Sequence, residues 1–258
     1  MSVILLLAGL FVFNITSCGL DEFYVLDARP IVENFPIAPE DSEGDYTEMY
    51  FTFRTNEDRS QEYIGYDSAF VFMGTEIYYK IYSSYKEMTK EISSLYSLSE
   101  SENYTNAATR LIEATGYNYQ KLECEGYTRS PLIPATGTNK KILIRLTDYL
   151  EDVNPELSSR IELNGVPLNG EGKASKPRRN GIIGNCSFNF GRESKDSKLN
   201  PKPKKDDPDY KETDFTEEGK YYISLYAVAV GRDTTYTTYY SNIAHLGTVR
   251  IDSQSENN

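Results

Sequence analysis

The stretch Tyr221-Tyr222-Ile223-Ser224-Leu225-Tyr226-Ala227 decides the fold. Apolar side chains return at every second position, the period of a β-strand and not of a helix. Gly231-Arg232-Asp233-Thr234 then reads as a turn, and residues 239–251 supply a last strand. Working back toward the N-terminus, Met49, Phe51 and Phe53 share one face of a strand, and Ile77, Tyr79 and Ile81 do the same after Gly74. Lys141 to Leu146 is a further strand, and Cys186-Ser187-Phe188-Asn189-Phe190 another, ended by Gly191. Ile161-Glu162-Leu163 followed by Asn164-Gly165 predicts a hairpin, because Asn-Gly accepts the two positive φ values of a type I′ turn.

One segment breaks this rhythm. Ser84-Tyr85-Lys86-Glu87 has capping-box spacing, and Tyr85, Met88, Ile92 and Leu95 follow at helical intervals. A second helix is predicted over residues 104–114, with Ala107, Ala108, Leu111 and Ile112 inward and Gly116 as its C-cap. The sequence therefore predicts a mainly β chain, an antiparallel β-sandwich over residues 46–252, with a helical insertion at about 84–116. Residues 170–180 and 195–212, rich in charge and proline, read as flexible solvated loops, with Lys176 to Arg179 a basic cluster in the first. Residues 18–45, with Pro30, Pro36, Pro39 and an acidic run, read as a tether, and 253–258 as a disordered tail.

Composition supports β structure and narrows the function. Among 258 residues there are 22 Tyr and no Trp, and tyrosine suits half-exposed sheet faces. A net charge of −12 is wrong for a nucleic-acid partner, whose affinity comes from neutralising phosphates with Lys and Arg. The same charge argues against electrostatic docking on anionic lipid and suits a soluble exported domain.

Residues 3–13 form an apolar run of eleven, shorter than the roughly 20 residues a spanning helix needs, and of the length of a signal-peptide core. Ile15-Thr16-Ser17-Cys18 follows, and it resembles the lipobox of bacterial lipoproteins, while Gly19 to Asp27 resembles the mature start of those of spirochaete-type bacteria. The resemblance implies that residues 1–17 are a cleaved signal peptide and that Cys18 is the acylated first mature residue. It also implies attachment to a membrane of the bacterial cell envelope; Gly19 in place of Asp favours the outer membrane, on its surface or periplasmic face. Each buried methylene adds about 0.8 kcal/mol, so several acyl chains on one residue hold a protein durably. Met1-Ser2 departs from the pattern in carrying no basic residue.

Gly74-Thr75-Glu76-Ile77-Tyr78-Tyr79-Lys80 resembles the third strand of a fibronectin type III domain, and Gly219 to Val228 resembles its sixth. Tyr240-Ser241-Asn242 is similar to the residues before that family's last strand, and Phe51 or Phe53 stands where its second strand usually has Trp.

Cys124 and Cys186, 62 residues apart, are either a disulfide, worth about 4 kcal/mol by loop entropy, or two buried thiols. No CxxC occurs and His245 is the one histidine, so no metal or other cofactor is expected. No catalytic motif is present, and the carboxylates Glu123 and Glu125 are an unspecific pair. The expectation is a lipid-anchored, non-catalytic binding module with an unidentified protein or glycan ligand; the alternatives are a tethered assembly or structural factor and, behind it, an envelope glycan or peptide hydrolase.

Overall fold

The computed structural model describes residues 26–41, 44–58, 70–101, 106–149, 154–182, 186–192, 200–214, 216 and 218–253. Cys18, the leader and most of the C-terminal tail lie outside the described residues. The elements run β1 (Ile31–Asn34), β2 (Phe51–Arg54), β3 (Phe70–Tyr82), α1 (Tyr85–Ser99), α2 (Ala107–Ile112), β4 (Gln120–Lys121), β5 (Glu123–Cys124), β6 (Ile133–Pro134) and β7 (Lys141–Arg145). They continue with β8 (Arg160–Leu163), β9 (Val166–Pro167), β10 (Pro177–Arg178), β11 (Tyr210–Lys211), β12 (Lys220–Asp233), β13 (Thr238–Tyr240) and β14 (Ala244–Asp252).

The fold is an antiparallel β-sandwich with a helical insertion. One sheet has the order β1-β2-β7-β8-β9. The other is built on β12, which pairs with β3 on one side and with β13 and β14 on the other. β4 and β6 extend it beyond β3, and β11 joins as the one parallel pairing there.

Period-2 geometry sorts the side chains of the central strands. Ile77, Tyr79 and Ile81 of β3, with Ile223, Leu225 and Ala227 of β12, face the other sheet and pack on Phe51, Phe53, Ile142 and Ile144. The alternate residues Tyr78, Tyr82, Tyr222, Tyr226 and Val228 face the helices and pack on Met88, Leu95, Ala107, Ala108 and Leu111. The sheet is thus buried on both faces, and the insertion is its second cover. Tyrosine suits the helix side because its hydroxyl finds partners there: Tyr82 donates to Glu91 at 2.7 Å and lies 2.8 Å from the Tyr119 hydroxyl.

Several local expectations hold. Asn164 and Gly165 have φ of 54° and 80°, as a type I′ turn requires, and they join β8 to β9. Ser84 is the N-cap of α1, although its hydroxyl makes no capping bond. The second helix is shorter than expected: its α-helical residues are 107–112, its C-cap is Glu113, and Gly116 sits in the turn beyond, donating to the Glu113 carbonyl.

Four expectations need correction. Residues 26–40 are no tether. Leu26 and Ala28 pack with Phe70 and Phe72, β1 pairs with β2, and Thr248 N donates to the Pro36 carbonyl at 2.8 Å. This segment lies against β14, whose backbone groups would otherwise want partners. Gly247, at φ +117°, allows the approach, since a Cβ there would sit 2.5 Å from the Pro36 oxygen.

The described parts of 170–180 and 195–212 are solvated only in part: Glu171 to Ala174 and Lys204 to Asp206 are exposed, but the rest is built into the fold. β10 pairs with β5, β11 pairs with β3, and Arg179 is buried between them, bonded through Nε and Nη2 to both oxygens of Asp209 at 2.8 and 2.7 Å. Residues 186–190 are no strand either. Phe188 and Phe190 reach the core as the alternation implies, but the backbone is irregular and tied by side chains, with Asn189 bonded to Asp148 and Ser187 to Asn200. Finally, Cys124 and Cys186 are both buried thiols, and the disulfide alternative is not formed.

Candidate functional site

A groove of about 470 Å³ opens on the helix-covered side of the molecule. Its floor is Tyr226 of β12 with Ile243, His245 and Thr248. One wall is α1, from Tyr85 and Met88 through Ile92 to Tyr96; the other is Phe35 and Ile37 of the N-terminal segment, with Arg29 at the rim. The helix reaches the groove because its apolar stripe is wider than one face. Met88, Glu91, Leu95 and Ser99 point into the fold, while Tyr85, Ile92 and Tyr96 turn along its side. The N-terminal wall is held by two bonds, Thr248 N to the Pro36 carbonyl and Ala38 N to the Thr248 hydroxyl at 2.9 Å.

Large apolar side chains stay in water around this opening: Phe35 is 48 % exposed, Tyr96 65 % and Ile37 71 %. Phe35, Ile37 and Tyr96 all line the groove and are not scattered singly over the surface, which makes this opening the candidate site. The serine hydroxyls in the middle of the α1 wall are turned back on the helix, with Ser93 donating to the Thr89 carbonyl and Ser97 to that of Ser93. The wall therefore offers a contacting molecule little polar competition.

His245 is part of the floor. Its ring stacks on Tyr226 with centroids 4.6 Å apart and meets Phe35 edge-on at 5.0 Å. Nε2 lies 3.1 Å from the Ser224 hydroxyl. Burial pushes its pKa down to about 4, so the ring is neutral at pH 7. Arg29 is thus the one charged side chain lining the groove among the described residues. Its ion-pair partner Glu100 is 3.9 Å away with both side chains about half exposed, a weak and solvent-screened contact.

The other residues singled out in the sequence are engaged elsewhere. The basic cluster has its acidic partners inside the chain: Arg178 meets Glu125 at 2.7 Å, Lys176 meets Asp148 at 3.5 Å, and Arg179 meets Asp207 and Asp209. Burial opposes the Arg179 charge, but the bonds and charge of Asp209 outweigh it and hold the guanidinium ionised. Tyr79 donates to the same Asp209 at 2.6 Å. Glu125, taken by Arg178, does not pair with Glu123 across a cleft. Burial raises the thiol pKa of Cys124 to about 11 and raises that of Cys186, which keeps both protonated and unreactive at neutral pH.

Among the described residues no group of three or more His, Cys, Asp or Glu is placed to hold a metal ion. No helix among them is long and apolar enough to cross a membrane, which says nothing of β-barrels. The groove itself was not among the sequence expectations. The available signal was the exposed Tyr96 continuing the Tyr85, Met88, Ile92 spacing on α1, more apolar surface than one contact face needs. Compared with models of known families, with curated proteins and with solved structures, the chain matches none.

Proposed function

We propose that this chain is an envelope protein held to a membrane by lipid on Cys18, whose folded domain works as a non-catalytic binding module. The observation that carries the binding half is the open apolar groove beside α1, whose one histidine is neutral, stacked and bonded to Ser224. The anchoring half rests on the lipobox-like Ile15-Thr16-Ser17-Cys18 after an eleven-residue apolar run. The resemblance to fibronectin type III domains is supported by strand order, since β3, β12 and β14 lie side by side and β2 sits in the opposite sheet.

The test is fractionation of cells carrying the wild type or Cys18→Ala, with protease added to intact cells. The expected result is a membrane-bound wild type and a soluble mutant. Equal membrane attachment of the two sinks the anchor. Cleavage of the wild type on intact cells favours an outward binding role. Protection places the domain on the inner side, where the assembly-factor alternative gains.

A further inference from the structure

The shape of the groove says what fits it. The helix wall from Tyr85 to Ser99 is about 21 Å long at 1.5 Å per residue. The residues lining the groove of about 470 Å³ run that whole length, from Tyr85 through Met88, Ile92 and Tyr96 to Ser99, so it is elongated along the helix. At non-bonded carbon separations of about 4 Å, an extended hydrocarbon chain can lie along it in contact with the helix wall. A compact ring system would leave most of the length unfilled.

The polarity says what the chain carries. Ile92, Tyr96 and Phe35 make the walls apolar, and the floor is neutral at physiological pH because the His245 imidazole is uncharged there. The charged side chain that lines it is Arg29 at the rim; Glu100 lies 3.9 Å away, and the half-exposed guanidinium retains donors beyond that long contact. A planar guanidinium matches a carboxylate with two parallel bonds. In a chain of net charge −12, a guanidinium at the mouth of an apolar groove can exchange its solvent-screened contact with Glu100 for a head-group carboxylate.

We propose that the groove is a binding site for a free, single-chain aliphatic carboxylate, its chain lying along α1 and its head group at Arg29. This rests on the binding-module reading and names the ligand class of the same site.

The experiment uses the full chain in its own membranes. The probe is dodecanoate bearing a diazirine on its chain, photolysed in place, with labelled peptides located by mass spectrometry. Labelling is expected on residues 85–99 and 35–37. It should be displaced by plain dodecanoate and hardly at all by dodecyltrimethylammonium. Ser93→Trp, at an exposed position on the α1 wall, fills the groove and is expected to abolish labelling with the protein still folded, as read by its unchanged unfolding midpoint. Arg29→Gln is expected to weaken labelling about tenfold while sparing labelling by the matching dodecanol probe.

Labelling outside the groove, equal displacement by the cationic amphiphile, or undiminished labelling of Ser93→Trp overturns the proposal. So does labelling displaced only by two-chain phospholipid, which assigns the groove to membrane lipid. Membrane attachment is read by fractionation of the same samples, so failure to label leaves the anchoring result standing on its own.

Discussion

The two faces of the β3–β12 sheet are closed in different ways. Toward the five-stranded sheet, Phe51, Phe53, Ile142 and Ile144 interlock with Ile77, Ile81, Ile223 and Leu225, all fully buried. At the end of that core Arg179, Asp209 and Tyr79 form a buried polar lock. Toward the helices the sheet offers tyrosines, and α1 covers them with only part of its apolar surface, leaving the groove. Two sheets in register seal a face along its whole length. A single helix of 15 residues laid across another face seals a stripe and leaves an edge. The sealed face gives the domain its stability, and the incompletely covered one leaves apolar side chains in water.

Substitutions in the sealed face should cost most. Phe53→Ala is expected to lose about 3–5 kcal/mol, the transfer term plus a cavity, measured by urea unfolding. Arg179→Met strands the buried Asp209 carboxylate and is expected to lose a similar amount. The double change Arg179→Met with Asp209→Leu should recover most of it, since what destabilises is the unpaired charge. If the single change costs under about 1 kcal/mol, the lock is not buried as described.

The groove face should respond to acid. The unfolded chain protonates its histidine near pH 6.5 and the folded chain protonates His245 only near pH 4, so the unfolded state binds more protons between those values. Stability is therefore lost as pH falls through that window. The ring is only partly buried, and a loss of about 2 kcal/mol between pH 7 and pH 4.5 is the expected size. His245→Gln should flatten this part of the pH profile; an unchanged slope would put its origin in other groups. Smallest of all, Tyr96→Ala on the groove rim should stay within about 0.5 kcal/mol of wild type. A cost near that of Phe53→Ala would mean that the rim belongs to the core and erase the contrast.

What the sequence made legible follows the same contrast. Residues 239–251, read as one strand, are divided between β13 and β14, whereas strands β2, β3, β7 and β12 announce themselves because period-2 alternation is local and strong. So does the Asn-Gly hairpin, and so does α1, whose cap and stripe lie within 15 residues. The residues between the alternating apolar ones on β12 looked suited to water, yet Tyr222 and Tyr226 are buried, because the covering helices come from more than a hundred residues earlier. Arg179 read as a solvated loop residue for the same reason: its partner Asp209 is 30 positions away, and Tyr79 meets that carboxylate across 130. Proline content made residues 26–40 look like a tether, although Pro36 supplies the carbonyl that accepts from Thr248. The groove was least legible, being assembled from residues near 35, 92 and 245 that no local pattern connects.

Hydrogen exchange of the full chain, with and without dodecanoate, tests the difference between the faces most directly. The account predicts that amides of β3 and β12 exchange only through global unfolding. Amides of α1 and of residues 35–38 should exchange faster and gain protection when dodecanoate is added. If α1 exchanges as slowly as β12 and dodecanoate changes nothing, the helix seals its face as fully as the second sheet seals the other, and the groove is not a binding site.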